Sequence, residues 1–175
     1  EDVYLPDSSR VSVSEVGQEG QLQEISMTWV SKRVPREYMN TVQPVIFDRA
    51  MDILGRVAVR RLRTAFEIEG IPVSDVSYVL TIADRGPGDD VFTMCATVAQ
   101  DDVLNARKLM SGVMHSIDSE GVSVGEYLLA EADFMNALRR ESALPYCTNA
   151  GYVDRCISSF LYNSLLSSQK QIYAL

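Results

Sequence analysis

The sequence contains very little histidine: His115 is the only one in 175 residues. The paired-histidine metal motifs H-x-x-E-H and H-E-x-x-H place two imidazoles on one helix, and a Ser–His or Cys–His pair needs an imidazole beside its nucleophile. Residues 121–125 (GVSVG) match G-x-S-x-G, but they join two predicted helices and so do not form the strand-to-helix turn of a nucleophile elbow. A lone histidine in a helical run is more often a packing or surface residue than a ligand. The sequence therefore predicts no catalytic residue and no metal site in this chain.

Cysteine is also scarce. Cys95, Cys147 and Cys156 are odd in number and show no C-x-x-C spacing. This pattern argues against both a disulfide framework and a zinc knuckle. We expect three free thiols in the core.

The chain also has no excess of positive charge and no long apolar run. The chain has 16 basic and 24 acidic residues, a formal net charge of −8, which is the wrong sign for a protein that follows a phosphate backbone. No apolar run approaches the ~20 residues of a membrane span. The glycines of residues 86–88 stand beside acids, which would repel a phosphate. We therefore predict neither nucleic acid nor a membrane span among the partners.

Residues 1–7 are typical of a linker that enters a domain, so we expect the chain to be part of a longer one.

Four segments show the alternation of a strand. Residues 10–16 and 22–32 open the chain, and residues 73–83 and 90–99 form a predicted hairpin around a glycine- and proline-containing turn. In the last segment the side chains of Phe92, Met94, Ala96 and Val98 alternate with those of Thr93, Cys95 and Thr97. One face of the sheet should therefore pack on helices.

The remaining segments have helical periodicity. Residues 36–69 are too long for one average helix, and we expect Pro44 and Gly55 to break or bend this segment and Gly70 to end it. A second helix should begin at Asp101 or Asp102, and a third after Ser123, which forms a capping box with Glu126. A fourth begins near residue 150. The predicted apolar positions are Leu54, Val57, Ala58, Leu62, Ala65 and Phe66 in the first helix; Val103, Ala106, Met110, Val113, Met114 and Ile117 in the second; Leu128, Leu129, Ala132, Met135 and Leu138 in the third; and Val153, Ile157, Phe160, Leu161 and Leu165 in the fourth.

This order of elements predicts an α+β fold, with a mixed or antiparallel sheet and helices packed on one face, in a single domain over residues 1–175.

A cluster of arginines precedes Gly70. Arg56, Arg60 and Arg63 lie mostly off the predicted apolar stripe of the first helix. Cations near a helix C-terminus complement its dipole, and Arg60 can pair with Glu67 or Glu69. Alternatively, one guanidinium projects past the helix end into a cleft and holds a peptide carbonyl or carboxylate. The residues alone leave both interpretations open.

A series of motifs from Val11 to Leu165 resembles the pitrilysin/insulinase family of zinc peptidases, which includes the mitochondrial processing peptidases. The most diagnostic is the helix start in EGVSVGEYLLAEADFM, where the family has Gly-Val-(Ser/Thr)-x-x-Glu-(Leu/Tyr). The others, in the family's order and spacing, are ISMTWVSKRVP, RRLRTAFEIEG, MCATVA, DVLNARKLMSGVMHSIDSEGVSVGEYLLAEADFMNAL and YVDRCISSFLYN.

The resemblance implies a metallohydrolase-like domain of the second, metal-free type. In such peptidases a first domain carries H-x-x-E-H and the second closes a chamber around the peptide. The resemblance thus implies no cofactor in this chain, zinc in a partner domain of the same or a paired chain, and a peptide as substrate. The family often has a substrate-contacting arginine near the end of this helix, which matches Arg63. Its substrate-contacting tyrosine has no match, because Val73 stands there and Tyr78 lies too far along the strand.

The leading hypothesis is a non-catalytic domain that encloses the substrate of a zinc peptidase. The alternative is an inactive relative that serves as a scaffold or binding subunit, and an unrelated α+β sandwich is a third possibility. Since bacterial members of the family are often exported, the resemblance favours a periplasmic or other exported location over a cytoplasmic one.

Overall fold

The computed structural model describes residues 10–13, 22–31, 35–81, 90–143 and 149–166. The predicted turns at residues 17–21 and 84–89, and Cys147, lie outside these ranges. The strands and helices are β1 (Arg10–Val13), β2 (Leu22–Ser31), α1 (Gln43–Glu69), β3 (Val73–Thr81), β4 (Asp90–Ala99), α2 (Val103–Glu120), α3 (Val124–Ala143) and α4 (Asn149–Tyr162), with short helical turns at Arg36–Tyr38 and Gln100–Asp102.

The strands form one four-stranded sheet in the order β1-β2-β4-β3. All three neighbouring pairs are antiparallel. The predicted α+β class, the antiparallel sheet and the β3–β4 pairing are therefore confirmed.

The two faces of the sheet differ in burial. Ile25 and Val76 both pair with Ala96 across β4, and all three side chains are buried. Cys95 lies on the opposite face between Ser26 and Ser77, and these three are only half-buried. Successive side chains of a strand point to opposite faces, so the face that carries Ile25, Val76 and Ala96 is the buried one in the first unit.

The contacts between residues divide the chain into two compact units. The first comprises Glu1–Ser31, Gly55–Thr81 and Asp90–Val122, and in the described chain it contains the sheet, the second half of α1, and α2. The second comprises Lys32–Leu54, Ile82–Asp89 and Ser123–Leu175, and it contains the first half of α1, α3 and α4.

The core of the first unit follows the predicted apolar pattern closely. Val57, Ala58, Leu62 and Phe66 of α1 are buried, as are Ala106 and Met110 of α2 and the alternating residues Phe92, Met94, Ala96 and Val98 of β4. The predicted positions that are only half-buried are Ala65 in α1 and Val103, Val113, Met114 and Ile117 in α2; Leu54, also half-buried, belongs to the second unit.

The predicted break at Gly55 is wrong, because α1 runs unbroken from Gln43 to Glu69. The run of residues 36–69 is, however, interrupted just before Pro44: a short helical turn ends at Tyr38, and α1 begins at Gln43. Pro44 is its second residue, where a missing backbone N–H costs no helical hydrogen bond. Gly55 lies inside the helix because it packs on an aromatic ring: a Cβ at this position would stand 2.5 Å from Cδ2 of Tyr78. The glycine thus permits close packing between α1 and β3.

The end of α1 is as predicted. Gly70 adopts a φ of 67°, its N–H donates to the Glu67 carbonyl over 3.2 Å, and the Ile71 N–H donates to the Phe66 carbonyl over 3.0 Å. These two bonds form a Schellman cap, which requires a left-handed residue at the position of Gly70. The chain then enters β3 at Val73.

The second unit confirms one prediction and overturns another. The capping box of α3 is present: the Ser123 N–H donates to Glu126 Oε2 over 2.9 Å, and the Glu126 N–H donates to Ser123 Oγ over 3.3 Å. The predicted apolar positions of α3 and α4, however, are mostly exposed, and among the described residues of this unit the buried ones are Met39, Ala130, Phe134 and Ser158. Leu138 and Leu165 are half-buried; the exposed positions are Leu128, Leu129, Ala132 and Met135 in α3 and Val153, Ile157, Phe160 and Leu161 in α4. Helical periodicity identifies an apolar side but not what covers it.

Candidate functional site: Arg63 and the edge of the sheet

Arg63 lies within the last two turns of α1, beside strand β3. Its Nη2 donates a hydrogen bond to the Val76 carbonyl over 3.2 Å and stands 4.0 Å from Oδ1 of Asp75. Both charged side chains are largely exposed, at 58% for Arg63 and 59% for Asp75. An ion pair this exposed is worth only about 0–1 kcal/mol. The hydrogen bond to the carbonyl is therefore the more informative contact.

Strand β3 is the last strand of the sheet in the order given above. An edge strand presents backbone N–H and C=O groups that are not paired to a neighbouring strand. Arg63 binds a backbone carbonyl of this edge strand, that of Val76, whose own side chain is buried. The pairing register also shifts between Val73 and Asp75, just before this carbonyl. Arg63 thus recognises a peptide carbonyl at an irregular sheet edge.

The guanidinium has capacity for further contacts. It carries several N–H donors in a planar fork, and the contacts described above both involve Nη2. Its exposure leaves the group accessible to a second polypeptide. The predicted binding residue therefore has the chemistry to hold a peptide carbonyl, although its observed partner belongs to its own chain.

The neighbouring Arg61 has a structural contact that the sequence did not reveal. Its Nη1 donates to Ser116 Oγ over 3.3 Å, and its Nη2 donates to the Gly121 carbonyl over 2.9 Å. Arg61 and Arg63 point in different directions because the residues are two positions apart on a helix. Arg61 and Arg63 therefore do not form one site: Arg61 binds the end of α2, and Arg63 binds the edge of β3.

The two positions considered for a substrate-contacting tyrosine are both located in the structure. Val73 is half-buried at the start of β3. Tyr78 is half-buried against Gly55, and its ring centroid is 6.1 Å from that of Phe92. Tyr78 packs within the first unit, so its aromatic ring fixes the contact of α1 with the sheet.

The open face of the sheet carries hydroxyl and thiol groups. Oγ1 of Thr28 and Oγ1 of Thr93 lie 3.1 Å apart across β2 and β4. Burial raises the pKa of the neighbouring Cys95 thiol above its ordinary value, and the carboxylates of Glu24 and Asp75 raise it further. The thiol thus stays protonated and is a weak nucleophile at neutral pH.

Cys95 and Cys156 are free, as predicted, but neither lies in the core: both are half-buried. Among the described residues, no three His, Cys, Asp or Glu side chains come together as a metal site. His115 is exposed on α2. In the same described ranges, no helix has the length and apolar character that crossing a membrane requires.

A second surface feature is an apolar groove on α4. We call this the α4 groove; it has a volume of about 530 Å³ and is lined by Tyr152, Val153, Cys156, Ile157, Phe160 and Leu161. Phe160 is 84% exposed and Tyr152 is 62% exposed. Sequence reasoning identified most of these residues but assigned them to the core.

Comparison with known proteins gives no relative for this chain: no protein-family profile matches it, and no curated protein matches it in sequence.

Proposed function

We propose that the chain is a non-catalytic domain that encloses a peptide substrate in a zinc-dependent peptidase. The observation that carries the proposal is the contact of Arg63. This exposed guanidinium donates to a backbone carbonyl, that of Val76, and a bound peptide presents the same chemical group. The proposal also rests on the family resemblance of the motifs from Val11 to Leu165. Under it, the fold is of the metallohydrolase type and the zinc belongs to a partner domain.

The exposed apolar side chains give independent support for a partner. Most of them belong to the second unit, on α3 and α4 and in the first half of α1. Apolar patches of this kind on a protein surface commonly mark contacts with another polypeptide. A domain that closes a chamber needs such contacts.

The alternative function is that of an inactive scaffold or binding subunit. The same Arg63 contact favours it, because an arginine that binds an edge carbonyl also stabilises the sheet without any substrate. The two functions therefore differ in what the loss of Arg63 changes.

The decisive experiment uses the complete polypeptide that carries this chain together with its zinc-binding partner domain. We expect Arg63→Ala to lower kcat/KM for peptide cleavage by about 10- to 100-fold, since a charge-assisted hydrogen bond is worth about 1.5–3 kcal/mol. The melting temperature should change little, because the Arg63 side chain is 58% exposed and water can replace both its hydrogen bond to the Val76 carbonyl and its ion pair with Asp75. Arg63→Lys should recover only part of the loss, because it keeps the charge without the planar fork.

Thr64→Ala is the matched control, since Thr64 is the exposed neighbour on the same helix, and it should leave turnover unchanged. Unchanged turnover in Arg63→Ala together with a lower melting temperature would show that Arg63 is structural. A wild-type protein that binds peptide but does not cleave it would favour the scaffold.

A further inference from the structure

Helix α4 has its apolar side turned outwards. Tyr152, Val153, Ile157, Phe160 and Leu161 are exposed, whereas Ser158 on the other side of the helix is buried. Amphipathic helices of globular proteins ordinarily bury the apolar side. The small residues Gly151 and Ser159, which are half-buried beside Ser158, give α4 a polar side suited to close packing within its unit. Among the described residues, nothing covers the apolar side of α4.

The residues that line the α4 groove form two parallel rows along the helix; Cys156 is half-buried and the other five are exposed. One row is Tyr152, Cys156 and Phe160, and the other is Val153, Ile157 and Leu161. Residues four positions apart form the ridges that fit into the grooves of a second helix in the commonest class of helix packing, with axes crossing at about 50°. The α4 groove between the two rows therefore has the form of a helix-binding surface.

The first row has a pattern that fits a copy of itself. Cys156 is small and central, and it is flanked by the large rings of Tyr152 and Phe160. Two such helices related by a twofold axis near Cys156 approach most closely at the small residue, and each Tyr152 then faces Phe160 of the second copy. A twofold interface requires this kind of self-complementary surface. We propose that the α4 groove binds the α4 groove of a second copy of this chain.

The size of the surface sets the strength of the contact. The exposed parts of the five large side chains amount to about 500 Å² per chain, taking about 150–250 Å² for a full aromatic side chain. Two copies then bury about 1,000 Å², which is at the lower limit for a specific interface. The expected dimer is therefore weak and reversible.

The net charge of the chain argues against a lipid surface as the partner of the α4 groove. A net charge of −8 opposes binding to an anionic membrane. Helices that lie on membrane surfaces usually have a polar side rich in Lys and Arg, and the described polar side of α4 is not of this kind. The same charge makes two copies repel each other, and this repulsion is screened by salt. The dimer should therefore strengthen as salt is raised. The proposal does not depend on the proposed peptidase function.

The test is sedimentation equilibrium of the 175-residue chain at low and high salt. We expect a monomer–dimer equilibrium whose dissociation constant falls when salt is raised. Phe160→Glu should weaken the dimer at least tenfold, because it places two charges in the contact. Leu104→Glu is the matched control: Leu104 is also a highly exposed apolar residue, at 69%, but it lies on α2 in the first unit. It should leave the dimer unchanged, and circular dichroism verifies that both variants fold.

A cross-linking experiment locates the axis. Dioxygen with copper–phenanthroline takes up the two electrons released when two thiols form a disulfide, and peptide mapping should show a Cys156–Cys156 link between chains. Cys156→Ser should abolish this link. The proposal is overturned by a chain that stays monomeric at all concentrations, by a dimer that Phe160→Glu leaves intact, or by a monomer that binds lipid vesicles through α4.

Discussion

At the scale of single residues, close packing explains the glycine that sequence reasoning misassigned. Gly55 lies in the interior of α1, a position where glycine costs about 1 kcal/mol relative to alanine. Three ring atoms of Tyr78 would lie 2.5–2.7 Å from an added Cβ. Tyr78 in turn stacks against Phe92, which pairs with Trp29 at a ring distance of 5.9 Å. The gain in packing thus outweighs the poor helix propensity.

We expect Gly55→Ala to destabilise the protein by about 1–3 kcal/mol, because the new methyl group forces Tyr78 to move within a packed layer. Urea denaturation followed by circular dichroism measures this. Gly112→Ala is the matched control: Gly112 is also inside a helix, but a Cβ there meets nothing within 4 Å. It should stabilise the protein by about 0.4–1 kcal/mol. Equal effects at both positions would rule out the role of the Tyr78 contact.

At the scale of elements, Arg61 joins two helices of the first unit. It extends from α1 to the C-terminus of α2, where it binds the Gly121 carbonyl and the Ser116 hydroxyl. The Ser116 hydroxyl itself donates to the Val113 carbonyl over 2.8 Å. A cation at a helix C-terminus also complements the partial negative charge of the last carbonyls. The half-buried Arg61 therefore connects the C-terminal end of α2 to α1.

We expect Arg61→Ala to lower the free energy of unfolding by about 1–3 kcal/mol, as for the loss of a charge-assisted hydrogen bond. Arg61→Lys should recover part of this, since an ammonium can bind the Gly121 carbonyl but does not reproduce the fork. Arg107→Ala, at an exposed position of α2, serves as the control. Thermal unfolding of the three variants is the measurement. An Arg61→Ala protein as stable as Arg107→Ala would mean that the two hydrogen bonds contribute nothing.

At the scale of the whole molecule, the sequence carries only one imidazole, the group that paired-histidine zinc motifs and Ser–His or Cys–His pairs require. With a single histidine, we expect the isolated chain to bind no zinc stoichiometrically and to cleave no peptide. Elemental analysis after dialysis against zinc, with a peptide-cleavage assay on the same sample, tests this. One tightly held zinc per chain would contradict the assignment of the metal to a partner domain.

Local patterns determined a large part of this protein. The alternation of apolar and polar residues in β2 and β4 correctly predicted which face of the sheet is buried, and Gly70 correctly predicted the end of α1. Both features depend on residues that are close together in the chain. The capping box of Ser123 and Glu126 was predictable for the same reason. The motifs also singled out Arg63 and the absence of paired histidines.

Only the tertiary structure decided which surfaces these elements meet. Arg63 and Arg61 look alike in sequence, yet one binds the edge of β3 and the other binds the end of α2. Gly55 reads as a helix breaker until Tyr78, which is distant in sequence, is seen against it. The apolar rows of α4 read as core, although the structure leaves them exposed. In each case the outcome depends on contacts between distant residues, and periodicity within one helix contains no information about its neighbours.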